Sequence, residues 1–169
     1  MAELWLQVLL YRLEDCPTLA RDFLTYLAGI VIDFERYRLE RNPQDGLAHA
    51  KLANALLFLG RDMSEALDHL RTAAQLQPDY GQVHYDLGSI YLRQNRPTEA
   101  KLEFETLLKL NPEDYQAHGS LGYIFLREGN VNEAELHFRD ALRINRNDPV
   151  AKKNLELLSK ARSLLEERK

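Results

Sequence analysis

From about residue 42 onward, apolar residues recur at spacings of three and four within stretches of about a dozen residues, each closed by polar punctuation. That spacing lines one face of a helix, so the stretches predict a succession of amphipathic helices. "HYDLGSIYLRQNRPTEAKLEFETLLKLNP", His84 to Pro112, shows the unit: a helix, a short turn at Asn95, a second helix, then Pro. The corresponding turns fall at Gly60 and Gly129, and all three residues are of types that tolerate a left-handed backbone. Between units stand "NPQD", "QPDY", "NPED" and "RNDP". Pro stops the helix before it, and Asp45, Asp79, Asp114 or Asp148 is then expected to cap the helix after it.

Upstream the pattern is different. Residues 2 to 14 are apolar almost all round, and Asp15-Cys16-Pro17 ends that segment. A longer helix is predicted from about Thr18, its N-cap, to Glu40, with a stripe of Leu19, Phe23, Leu27, Ile30, Phe34 and Tyr37 expected to be buried. At the other end, Val150, Leu155, Leu158, Ala161 and Leu165 recur among charged residues, as suits a terminal helix with one face on its neighbours and the other in water.

Shifted by 34 residues, the unit falls on itself: His84 on His118, Leu87 on Leu121, Gly88 on Gly122, Tyr91 on Phe125, Ala100 on Ala134 and Phe104 on Phe138. A weaker copy with one extra residue between its helices runs through His49, Leu52, Ala53, Leu56, Ala66, Leu70 and Pro78. The small residues at fixed places let paired helices approach closely.

These positions resemble the tetratricopeptide repeat family, whose unit of about 34 residues reads W-x2-L-G-x2-Y, then A-x3-F, then P. Leu87, Gly88, Tyr91, Ala100, Phe104 and Pro112 fill every slot but the first, where His84 stands for Trp. The resemblance covers roughly residues 42 to 145 and implies an all-α, short right-handed solenoid of antiparallel helix pairs. Its expected parts are an N-terminal helical extension over 1–41, repeats over about 42–77, 78–111 and 112–145, and a capping helix over 146–169. Counted back from Pro43, the slots for Ala and Phe hold Val31 and Glu35, so residues 1–41 are either an extension or a degenerate repeat.

Composition narrows the classes. With 169 residues, 45% hydrophobic and 28% charged, the chain is an ordinary globular sequence. A net charge of −4 without a basic stripe argues against a nucleic-acid partner. The longest uncharged apolar run, Phe23 to Ile32, is far short of the roughly 20 residues a transmembrane helix needs. Glu3 ahead of the first apolar run and Arg12, Glu14 and Asp15 after it do not form a secretory signal, so the chain reads as cytoplasmic.

Candidate chemistry is sparse. One Cys permits no internal disulfide and no Cys-rich zinc cage. Cys16 has only Arg12 as a basic neighbour. No phosphate loop, H-E-x-x-H or nucleophile motif is present, so no enzyme, no cofactor and no metal are expected. Glu65, Glu99 and Glu133 recur, but each lies in "SEA", "TEA" or "NEA" at a helix start, where a carboxylate complements the helix dipole. His49, His84 and His118 recur a helix pair apart, about 10 Å by helix-packing distances, too far to share a metal. They are read as packing residues, with His69 and His137 as exposed ones.

What the resemblance implies is partner binding. Groove positions of the family, carried onto this chain, are Ala50, Lys51, Asn54 and Phe58, then Gln82, Tyr85, Asp86, Ser89 and Arg93, then Gln116, Gly119, Ser120, Tyr123 and Arg127, and finally Val150, Lys153 and Asn154. Tyr85 and Tyr123 suit aromatic anchors, with Gln82, Gln116 and Asn54 as amide donors to a peptide backbone. Family members that hold acidic chaperone tails clamp carboxylates with lysine and asparagine from the first repeat, asparagine from the second, and lysine and arginine from the third. Here Asn54 matches, but Ala50, Asp86, Gln116 and Ser120 replace the others. The expectation is an adaptor that grips a protein or peptide partner in its groove. Two rivals stand beside it: a self-assembling scaffold, a homo-oligomer driven by Leu4, Trp5, Tyr11, Phe23 and Leu27, and a recruiting module of a multiprotein enzyme complex.

Overall fold

The computed structural model describes residues 17–60 and 63–166. Among them the chain forms eight helices and no strand: α1 (Pro17–Arg41), α2 (Gly46–Phe58), α3 (Met63–Leu76), α4 (Gly81–Arg93), α5 (Pro97–Leu110), α6 (Tyr115–Arg127), α7 (Val131–Ile144) and α8 (Pro149–Glu166). The fold class is an all-α solenoid of helix pairs. The chain divides into two compact units, one up to Gln77 and one from Pro78.

In the first unit α1 packs on α2 and α2 on α3. Asp45 starts α2: its Oδ1 accepts the Ala48 N–H at 3.0 Å, satisfying a donor the helix cannot. Leu52, Ala53 and Leu56 of α2 are buried with Ala66, Leu67, Leu70 and Ala73 of α3. Gly60, at φ 62°, ends α2 in the left-handed region and lets the chain reverse.

In the second unit each helix from α4 to α8 packs on the next. Val83, Leu87, Ile90, Phe104, Leu121, Ile124 and Phe138 are its largest fully buried side chains. Gly88 and Gly122 explain the small residues of the repeat. A Cβ on Gly88 would stand 2.7 Å from Cζ of Phe104, and one on Gly122 2.7 Å from Cε1 of Phe138. Each phenyl ring lies flush on a backbone with no room for a methyl group. In the first unit Ala53 takes the glycine slot and Leu70 the phenylalanine slot, a larger residue opposite a smaller one. The α4–α5 and α6–α7 turns pass through Asn95 (φ 57°) and Gly129 (φ 81°).

Three expectations are corrected. The buried face of α1 is Ala28, Ile32 and Glu35, not the bulkier stripe. Phe23, Leu27, Ile30, Phe34 and Tyr37 are exposed, Phe34 by 56%. Glu35, 3% exposed, is admitted to the packed face because Arg38 pairs with it at 2.8 Å and also bonds Asp45. Thr18 lies within α1, which already includes Pro17, a residue well suited to a first helical turn. Asp79 does not cap α4: the N-cap is Tyr80, which makes no side-chain cap bond. The cap falls two residues after Pro, where "NPQD" and "NPED" carry Asp but "QPDY" carries Tyr. The predicted helix over residues 2–14 lies outside the described residues.

Candidate functional site

In the second unit a cleft of about 370 Å³ opens along the first helices of successive pairs. Tyr85 and Leu92 come from α4, Tyr115, Gln116, Gly119, Ser120 and Tyr123 from α6, and Asn145, Asp148, Pro149 and Val150 from the segment entering α8. Helical spacing places these α6 residues on one face, since Gln116, Ser120 and Tyr123 stand at i, i+4 and i+7.

The two anchors differ. Tyr123 is 43% exposed, with the Arg127 guanidinium 6.0 Å from its ring centre. Tyr85 is half-buried, its ring edge-on to Phe104 with centroids 5.9 Å apart. Burial raises its phenol pKa, opposed by a hydrogen bond with Ser89 and reinforced by the nearby Asp114 and Asp86 carboxylates. Tyr85 is therefore a fixed wall and Tyr123 an accessible one. Asp148 is buried and its Oδ1 accepts the Val150 N–H at 3.0 Å, so this carboxylate is committed to the turn into α8.

Of the residues read from the sequence, Tyr85, Gln116, Ser120 and Tyr123 line this cleft, together with Gly119 and Val150. Others do not. Gln82 donates from Nε2 to Asp86 Oδ1 at 3.0 Å, one turn along α4. Arg127 donates to Asn95 Oδ1 at 3.1 Å, tying α6 to the α4–α5 turn. Arg93 and Lys153 are exposed and Ser89 is half-buried, none of them among the lining residues. Leu92, Tyr115, Asn145, Asp148 and Pro149 were missed as cleft residues by the sequence reading. Tyr115 follows the capping Asp114 directly, so its position at a helix start was the available signal.

Asn54 and Phe58 belong to the first unit, where with Leu24, Ala28, Val31, Lys51 and Ala55 they line a shallower apolar hollow of about 360 Å³. Phe58 is exposed there. Ala50, read as a groove position, is instead buried in the helix packing. Phe23 and Leu27 are exposed on α1, while Leu4, Trp5 and Tyr11 lie outside the described residues.

The histidines also depart from expectation. His69 and His137 are half-buried, each facing the repeated histidine of its own pair. His49 and His69 bring their Nδ1 atoms to 2.7 Å, and His118 and His137 to 3.1 Å. In the middle pair Glu103 occupies that slot, with Oε2 2.7 Å from His84 Nδ1. Among the described residues no group of three or more His, Cys, Asp or Glu side chains is placed to hold a metal ion. No described helix is long and apolar enough to cross a membrane.

Paired helices repeated in register define an all-α repeat protein, with polar and aromatic residues of its first helices along a cleft. Residues 85–149 match the tetratricopeptide repeat family model. Solved structures of the same fold include MamA, 19% identical with a TM-score of 0.72 over 80% of this chain and 79% of that one. The first TPR of Spaghetti (RPAP3), bound to the HSP90 peptide SRMEEVD, is 20% identical with a TM-score of 0.65 over 71% and 94%. The Arabidopsis OM64 TPR domain is 17% identical with a TM-score of 0.64 over 69% and 95%. At such identities the likeness speaks for the fold. No curated protein sequence matches the chain.

Proposed function

We propose that the chain is an adaptor that holds a peptide or helix of another protein against α4 and α6 in the cleft of the second unit. The observation that carries this reading is the convergence of Tyr85, Tyr115 and Tyr123 with Gln116 and Ser120 on one concavity. Tyrosine supplies rigid contact area at low entropic cost, and the amide and hydroxyl match a peptide backbone. The RPAP3 domain takes an acidic peptide, whereas this cleft offers Gln116 and Ser120 where a carboxylate clamp would place cations. The preferred ligand is therefore apolar and aromatic rather than an acidic tail. We further propose the working division already given, an extension to residue 41, three repeats to 145 and a cap to 169; the unit boundary at Gln77 supports it.

The test is affinity capture with the native chain and with a Ser120→Arg, Tyr123→Ala variant, both substitutions lying on the accessible wall and checked by circular dichroism. A partner held by the native chain and lost from the variant supports the cleft. A partner retained by both refutes it. One further observation favours a second reading, self-association: Ile30 and Phe34 are 47% and 56% exposed on α1 beside Phe23, Leu27 and Tyr37, a run of exposed bulky groups of the kind that marks interaction surfaces. Sedimentation of the full chain over a wide concentration range separates the two readings.

A further inference from the structure

The three repeated histidines share one setting and differ in one partner. Nε2 of His49 lies 3.0 Å from the Pro43 carbonyl, that of His84 2.9 Å from Pro78 and that of His118 3.1 Å from Pro112. A carbonyl only accepts, so each Nε2 carries a hydrogen, and in the neutral ring Nδ1 is left as a bare acceptor. What faces that Nδ1 then decides how the helix pair responds to protons.

We propose that His49–His69 and His118–His137 are proton-sensitive latches, holding α2 to α3 and α6 to α7 while one ring of each pair is neutral and releasing when both are protonated. With Nδ1 of His49 or His118 accepting, the bond closes when His69 or His137 donates through its own Nδ1–H. A first proton on either ring leaves one Nδ1 donating and the other accepting, so the bond stays intact. A second puts a hydrogen on both Nδ1 atoms. Two N–H groups and two positive charges then confront each other at 2.7 or 3.1 Å, and the rings must part. The middle pair is the internal contrast: His84 has an acceptor at each nitrogen, a carbonyl and the Glu103 carboxylate, so the doubly protonated ring is accommodated.

The surroundings act in the same sense. His69 is held below its ordinary 6.5 first by burial and then by His49, with Arg36 of α1 adding to the effect and Glu65 and Asp68 of α3 opposing it. Glu65 stands 3.9 Å from His69 Nε2 but is itself paired with Arg36 at 2.8 Å. His137 is lowered by burial and by His118, against Asp140 and Glu133 of α7 and Glu105 of α5, with Phe125 stacked on its ring. The unfolded chain thus takes up protons first. Stability is complete above about pH 6.5 and falls as the pH drops from there towards the lowered folded values, about tenfold in the folding constant per pH unit for each proton withheld. The latch stands independently of the groove reading.

The experiment is urea unfolding of the full chain at about pH 7.5 and about pH 5.5, beside a His69→Glu, His137→Glu variant that copies the middle pair. The native chain is expected to lose tenfold or more of its folding constant on acidification, and the variant to lose little or none. An equal loss in both, or no loss in the native chain, overturns the proposal. Imidazole NMR titration of the unaltered chain is a second arm that needs no variant to fold. Each pair is expected to take up one proton well before the other, and four rings titrating independently near 6.5 would overturn the latch.

Discussion

Gly88 and Gly122 are glycines for want of space, since their backbone is helical and the obstacle to a side chain is a phenyl ring at 2.7 Å. Gly88→Ala is expected to destabilise by about 1–3 kcal/mol, the usual range for overpacking. A Gly88→Ala, Phe104→Leu chain should recover much of that loss, because it recreates the Ala53 and Leu70 combination of the first unit; urea midpoints of the two variants check this. Tyr80 marks a vacancy of a different sort, an N-cap without a cap bond. Tyr80→Asp is expected to stabilise by about 1 kcal/mol, read as a higher thermal midpoint. The glycine and phenylalanine slots were legible in the sequence because they recur at a fixed period. The Asp79 error shows what recurrence hides: composition matched, but register was off by one residue, and a cap works only at its own backbone position.

At the scale of elements, α1 carries two apolar stripes and only one of them packs on α2. Hydrophobicity favoured Phe23, Leu27, Ile30, Phe34 and Tyr37. The helix instead buries small Ala28, branched Ile32 and the neutralised Glu35, because close approach to α2 depends on shape and on Arg38 reaching both Glu35 and Asp45. Ile32→Ala should cost about 2–5 kcal/mol, whereas Ile30→Glu, Phe34→Glu should leave the urea midpoint of the monomer within about 0.5 kcal/mol. If α1 mediates self-association, only the second variant abolishes concentration-dependent mass. The cleft residues Tyr85, Gln116, Ser120 and Tyr123 were accessible to sequence reasoning through helical register. The His49–His69 and His118–His137 contacts were not, because they depend on distances between two helices that neither helix's periodicity contains.

For the molecule as a whole, the tetratricopeptide repeat fold brings a binding architecture without prescribing its ligand. The peptide SRMEEVD, held by the RPAP3 domain, is expected to give no measurable heat with this chain in calorimetry. Saturable micromolar binding would show that cations outside the clamp positions, such as Arg93, Arg127 or Lys153, capture carboxylates. The interlock of Gly88 with Phe104 has a last consequence, which concerns descent. A helix pair can pass between the glycine–phenylalanine and alanine–leucine solutions only through an intermediate with either a clash or a void. The two positions are therefore expected to be exchanged together, each helix pair keeping a matched combination: alanine with leucine in the first unit, glycine with phenylalanine in the second.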